Sequence, residues 1–299
     1  MGGVKDLAKE ALYQALRNPI GEALLYEGAR RVPRSIQEPV FRRLAPQPKN
    51  YTRGSLRSVK RRGFQLELDP ADYFQWHHYF GFHDEVLETL KRLAQGSRRI
   101  LDIGANIGLY ALSMAQVAPA AQIAAIEPNP ATFARLSRHQ ALNQLSNLQC
   151  LPLAIGAEPG ELVLRDAGEG DSGKFTLRPG VEAAGTKVSV VTLAGLLERL
   201  GWDSLDLVKI DVEGFEPEVF AGARSALIAH RPTLVFELTP GWYGDRTPGL
   251  VNDLRALLDA GYAAFRIAPE PGEPQPMDLI SSLERGSAPQ YNVLLRPAR

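Results

Sequence analysis

Ile100-Leu101-Asp102-Ile103-Gly104-Ala105-Asn106-Ile107-Gly108 is the stretch on which the reading of this chain turns. A short β-branched apolar run ends in glycine, and an apolar segment of helical character, 107–117, follows at once. That succession predicts a buried strand, a tight loop and the first turn of a helix. Glycine lets the backbone come close to a ligand, and the N–H groups of a helix start are free to bond one. The spacing Gly104-x-x-x-Gly108 is not the Gly-x-Gly-x-x-Gly of dinucleotide loops, whose second glycine lies against a pyrophosphate. Asn106 stands at that position here. Asp102 stands two residues before the first glycine. Its carboxylate would repel a diphosphate but could accept hydrogen bonds from an ammonium group.

Glu127 lies 23 residues beyond Gly104, at the end of the next predicted strand, and is followed by Pro128-Asn129-Pro130. A carboxylate at a strand tip can take two hydrogen bonds from ribose hydroxyls. Either element alone also reads as a tight turn or a helix cap. A ribose and an amino group without a diphosphate point to S-adenosyl-L-methionine.

Outward from this core, strands alternate with helices from residue 84 on. Helices are expected at 84–95, 107–117, 130–143, 192–200, 216–229 and 249–260. Strands are expected at 98–103, 122–127, 148–154, 206–211, 233–238, 262–268 and 290–296, with short β segments near 161–165, 174–178 and 187–191. Runs such as Thr233-Leu234-Val235-Phe236 are apolar throughout, as strands covered on both faces are. Gly272 and four prolines read as a loop joining the last two strands, so an antiparallel finish is expected.

The first 45 residues read as helices, followed by a hairpin over 55–68 with an exposed basic turn, Lys60-Arg61-Arg62-Gly63. The aromatic stretch Tyr73–Phe80 follows neither period and reads as a covering segment. Lys and Arg number 34, as do Asp and Glu, yet residues 1–62 hold 14 basic against 5 acidic side chains, and the remainder is −9. With 44% hydrophobic and 23% charged residues the chain is globular, and no run approaches the ~18 apolar residues of a membrane span. The start lacks an apolar signal core, and Asp6 occupies the Ser/Thr position of a myristoylation signal. The one cysteine, Cys150, excludes an intrachain disulfide and fits a reducing cytoplasm.

The motifs Asp102 to Gly108, Glu127-Pro128-Asn129-Pro130 and Lys209-Ile210-Asp211-Val212-Glu213-Gly214-Phe215-Glu216, in this order, resemble the FkbM family of S-adenosylmethionine-dependent methyltransferases. Ala154-Ile155-Gly156, Val191-Thr192-Leu193, Glu237 and Tyr291-Asn292-Val293-Leu294 extend the likeness over about 84–296. Ala194 departs from it, since Asp usually follows the Thr-Leu pair. The resemblance implies an α/β class I methyltransferase fold: a Rossmann-like, seven-stranded, mostly parallel sheet with helices on both faces and one antiparallel strand. It divides the chain into a basic helical and hairpin extension, 1–80, and a methyltransferase domain, 81–299. By position Asp102, Gly104, Asn106 and Gly108 would line the methionyl side, Glu127 and Asn129 the ribose, and Ala154 the adenine. The activity implied is methylation of a sugar or natural-product hydroxyl.

Methyl transfer to a hydroxyl needs alignment and a base for the leaving proton. Asp211 and Glu237 end strands and are the leading candidates, with Glu213 behind them and His83 a minor claimant as general base. Each has a plainer role as a cap, a loop acid or a packed side chain. No third ligand is defined beside Asp211 and Glu237, so metal is left out of the expectation. The expected acceptor is a small molecule or glycan. Trp242-Tyr243 reads either as an acceptor loop or as surface packing. The basic N-terminus reads as packing first and as a peripheral contact with anionic lipid second. A homo-oligomer is left open, and no interleaved basic–aromatic pattern calls for nucleic acid. Competing readings are N-methylation of a peptide or amine, a nicotinamide-dependent oxidoreductase, a metal-dependent glycosyltransferase and a non-catalytic binding module.

Overall fold

The computed structural model describes residues 2–166, 175–176, 185–269, 272–286 and 289–298. It divides into two units, the first Met1–Asp84 and the second beginning at Glu85.

In the first unit, α1 (Gly2–Leu16) and α2 (Pro19–Ala29) meet at Asn18, whose side chain accepts from the N–H groups of Ile20 and Gly21. Pro19 opens α2, where its missing N–H costs nothing. Helical turns continue over 34–44, widened to a π turn at Gln37–Phe41 around Pro39, which cannot bond back along the helix. β1 (Arg57–Arg61) and β2 (Phe64–Leu68) form the expected hairpin. Its two-residue turn has φ +50° at Arg62 and +91° at Gly63, the pairing that suits strand twist.

That turn is less exposed than its composition predicted. Arg61 is buried, donating to the Tyr79 carbonyl at 2.6 Å with its guanidinium 4.0 Å from the Tyr26 ring centroid. The aromatic stretch also differs from expectation, being a helix, α3 (Tyr73–Tyr79), capped by Asp72. It buries Trp76, His78 and Tyr79, so apolar character on most sides hid the period. Ile20 and Leu24 of α2 are exposed.

The second unit opens with α4 (Glu85–Ala94). It continues β3 (Arg99–Ile103), α5 (Leu109–Val117), β4 (Gln122–Ile126), α6 (Pro130–Leu142) and β5 (Leu148–Leu151). A small four-stranded sheet follows: β6 (Ala154–Ile155), β7 (Gly160–Asp166), β8 (Phe175–Thr176) and β9 (Gly185–Val191), in the order 6-9-7-8. The strand expected over 148–154 breaks at Pro152, and Ala154–Ile155 pairs with β9 instead. Of the segment expected near 174–178, only 175–176 falls within the described residues.

The chain then returns through α7 (Leu193–Leu200), β10 (Leu207–Ile210), α8 (Glu216–His230), β11 (Thr233–Leu238), α9 (Thr247–Asp259) and β12 (Tyr262–Ile267). It ends with β13 (Gln275–Pro276), α10 (Leu279–Glu284) and β14 (Tyr291–Pro297). The main sheet runs 13-12-14-11-10-3-4-5. β5, β4, β3, β10 and β11 are parallel, and β14 runs antiparallel to both β11 and β12. These are the seven strands of a class I methyltransferase sheet, and the two-residue β13 adds an eighth at the edge. In the described part of the closing link, expected as a loop, the two-residue β13 and α10 appear, the latter capped by Asp278 and burying Leu279 and Leu283.

Leu101, Ile103, Val208, Ile210, Leu234 and Phe236 form one apolar cluster with α7, α8 and α9. Alternate strand residues, Asp102 and Lys209 among them, turn to the opposite face. The winding reverses between β3 and β10, the switch point at whose strand ends an open sheet places its ligand site.

Candidate active site

The loop after β3 is held from several sides. Gly104 has φ +75°, and a Cβ on it would sit 1.7 Å from the carbonyl oxygen of Asp211. Only glycine allows the β3 and β10 tips to meet there. Asn106 has φ +51°, a conformation asparagine adopts more readily than most residues, and its N–H donates to Glu127 Oε2 at 2.9 Å. The N–H of Asn129 donates to Glu127 Oε1 at 2.9 Å. The ring nitrogen Nδ1 of buried His139 meets the Ile107 carbonyl at 2.8 Å from beneath.

Glu127 is therefore both a loop clamp and a carboxylate at a strand tip, 8% exposed. Burial pushes its carboxyl up to about 7, against the pull of those two N–H groups. Each of its oxygens keeps a second lone pair for a hydroxyl. Asn129 caps α6, accepting from the N–H groups of Ala131 and Thr132. Ala154 is buried at the start of β6.

Asp102 was expected to face a ligand ammonium. In the structure it is fully buried, and Lys209 Nζ lies 3.2 Å from its Oδ1. The two residues are direct register partners on β3 and β10, which puts their side chains side by side. Lys209 also stands 3.5 Å from Asp211 Oδ2 and donates to the Gly104 carbonyl at 2.8 Å. Burial pulls the lysine down, but Asp102 and Asp211 outweigh it and its pKa is raised, so it stays a cation.

Beyond β10 and β11 the carboxylates converge. Oxygens of Asp211, Glu213 and Glu237 lie within 4.8 Å of one another, close enough to share protons or to hold one hard cation. The third carboxylate, which the sequence reading lacked, comes from Glu213: its φ of +50° and the +91° of Gly214 turn the loop back on itself. Burial, then Asp211 and Glu237, push Glu213 up to about 9. Burial and Asp211 push Glu237 up to about 8, against a hydrogen bond with Gln290. Glu216 caps the turn by accepting from the N–H groups of Val212 and Gly214. Arg246 closes the neighbouring loop, donating to the Gly214 carbonyl at 3.0 Å and to both oxygens of Glu218. A cavity of about 50 Å³ opens beside the cluster, lined by Tyr110, Lys209, Asp211, Glu237 and Asn292 among others.

His83 belongs to the first unit. Its carbonyl accepts from His77 Nε2 and its N–H donates to Gln37 Oε1. His77 is pushed down to about 3 by burial, and His78, also buried, is lowered while facing Asp84 at 3.4 Å. Cys150 on β5 is half-buried. Lys209 is the residue that sequence reasoning quoted but gave no role. Its signal was available, since a lone lysine inside an apolar strand needs a buried partner.

The family model for the methyltransferase FkbM domain matches residues 102–264. The methyltransferase sdnD of Sordaria araneosa is 33% identical over 41% of this chain and 59% of its own length. The 2-O-methyltransferase NoeI of Sinorhizobium fredii is 28% identical over 54% and 69%, and the hexuronic acid methyltransferase AglP of Haloferax volcanii 31% over 48% and 57%. The chain thus spans some three fifths of these relatives' lengths. With more than half of its residues matched by one family model, the chain belongs to the FkbM methyltransferase family.

Proposed function

We propose that this protein transfers the methyl group of S-adenosyl-L-methionine to a hydroxyl of a sugar or similarly polyhydroxylated acceptor. The observation that carries the reading is the acidic lining of the site, whose carboxyl groups crowd one another so that burial and mutual repulsion hold protons on several of them. Among the described residues, the carboxyl groups of Asp102, Glu127, Asp211, Glu213 and Glu237 gather around Lys209 at the ends of β3, β4, β10 and β11. Such a site disfavours a diphosphate or a sugar nucleotide and favours a ligand bearing a sulfonium and an ammonium. That argues against both the glycosyltransferase and the nicotinamide readings.

The residues fit that cofactor. The Gly104–Gly108 loop supplies a close backbone surface, Glu127 a carboxylate for the ribose hydroxyls, and the Asp102–Lys209 pair an ammonium that holds the Gly104 carbonyl in place. When bound, the cofactor supplies an electrophilic methyl group. Asp211 and Glu237 face the cavity from adjacent strand ends and are the groups that receive the acceptor's hydroxyl proton. Asn292, opposite Glu237 in register, offers an amide to a second hydroxyl. NoeI, a 2-O-methyltransferase, supports an oxygen acceptor, and AglP, a hexuronic acid methyltransferase, supports a sugar acid.

The test is incubation with methyl-labelled cofactor and a panel of glycans, sugar acids and amine-bearing peptides, followed by mass spectrometry. Gain of one methyl on a hydroxyl of a carbohydrate is expected. Labelling confined to nitrogen would refute the acceptor assignment, and no transfer to any member would count against turnover.

A further inference from the structure

Lys209 sits within Leu207-Val208-Lys209-Ile210, whose four residues are all buried. A buried ion pair is a weak source of stability, and a well-packed apolar pair often serves a fold as well or better. The lysine's contacts indicate another role. Its Nζ reaches the Gly104 carbonyl at 2.8 Å, Asp102 Oδ1 at 3.2 Å and Asp211 Oδ2 at 3.5 Å. The first oxygen belongs to the glycine loop and the last to the carboxylate cluster.

The same two segments also meet through the backbone. The Asp211 N–H donates to the Ile103 carbonyl at 3.0 Å, and Gly104 backs onto the Asp211 carbonyl with no space for a Cβ. The backbone bond joins the two loops, and the ammonium reaches both the Gly104 carbonyl and the Asp211 side chain. Tyr110 lies over the ammonium with its ring centroid 5.3 Å away.

We propose that Lys209 is the positioning residue of this site, holding the cofactor loop and the acceptor-side carboxylate as one hydrogen-bonded unit. The proposal rests on the methyltransferase reading above. In-line displacement requires donor and acceptor to be aligned together, so a tie between their two platforms acts on both.

The test uses calorimetric titration of the full chain with S-adenosylhomocysteine, which needs no acceptor. The proteins are wild type, Asp102→Asn, the double variant Lys209→Met/Asp102→Asn, and Lys209→Arg. The double variant removes both buried charges together, and thermal unfolding reports whether it folds. It is expected to fold and to bind at least about tenfold more weakly than Asp102→Asn alone, the loss of a charge-assisted hydrogen bond. Amide exchange over 103–108 should quicken while that of β11 and β14 stays as in wild type. Lys209→Arg has the adjoining cavity of about 50 Å³ to grow into and should bind within about threefold of wild type. Unchanged affinity and unchanged loop exchange in a folded double variant would overturn the proposal. So would a double variant that cannot fold, because the lysine would then be holding the sheet. Failure of the wild type itself to bind would refute the methyltransferase reading, and the proposal with it.

Discussion

Glu237→Gln should make the protein more stable at pH 9 and leave it unchanged near pH 5. The Glu237 carboxyl is pushed from 4.5 up to about 8, first by burial and then by Asp211. Between those values the folded chain keeps a proton that the unfolded chain has released. Stability therefore falls as pH rises through that window, and the contribution is lost in full above pH 8. At about 1.36 kcal/mol per pH unit, the interval sets a ceiling near 5 kcal/mol. Water entering the crevice and protons shared with Glu213 lower this, leaving about 2 kcal/mol. Glutamine keeps the shape of the protonated acid and cannot ionise. For a chain of this size, about 2 kcal/mol moves Tm by roughly 4–8 °C. Circular-dichroism melts at pH 5, 7 and 9, in chelator and at constant ionic strength, would show a wild-type Tm that falls with pH more steeply than the variant's. A variant equal to wild type or weaker at pH 9 would refute the reasoning, since the carboxylate would then be well paired in the folded protein.

The same proton gives activity the opposite pH dependence. With Glu237 receiving the acceptor proton, kcat/KM should rise through about pH 8, and Glu237→Gln should remove that limb and lower the rate by about 10²–10⁴-fold. Gly104→Ala forces a Cβ to within 1.7 Å of the Asp211 carbonyl at φ +75°, so a loss of about 3 kcal/mol in a urea titration is expected, together with loss of cofactor binding. Trp242 lies on the turn after β11 and is 39% exposed. Trp242→Ala should raise KM for a carbohydrate acceptor about tenfold, leave S-adenosylhomocysteine affinity unchanged in a titration, and so assign the ring to the acceptor side.

The alternation of strands and helices from residue 84 was legible because parallel strands are covered on both faces and so carry unbroken apolar runs. The strand-end placement of Glu127, Asp211 and Glu237 was legible because an apolar run that stops at an acid marks where a buried strand reaches the edge of its sheet. What could not be read depends on partners distant in sequence. Asp102 pointed to a ligand ammonium on local pattern alone, whereas register with β10 sets Lys209 beside it. Glu213 looked like a loop acid until two successive positive φ angles turned it toward Glu237. Arg61 counted as exposed charge, yet Tyr26 and Tyr79 enclose it. α3 and α10 escaped notice for opposite reasons: one is apolar on most sides, and the other has only two buried leucines in six residues.

The central claim is that the loop from Gly104 to Gly108 and the Glu127 carboxylate form the seat of S-adenosyl-L-methionine. The most direct measurement is calorimetric titration of the wild-type chain and of Glu127→Ala with S-adenosylhomocysteine, with NADH and a manganese–sugar nucleotide as controls. Saturable one-site binding to wild type, weakened about tenfold or more in Glu127→Ala and absent for both controls, is the expected result. No binding of S-adenosylhomocysteine, or equal binding by the folded variant, would contradict the account.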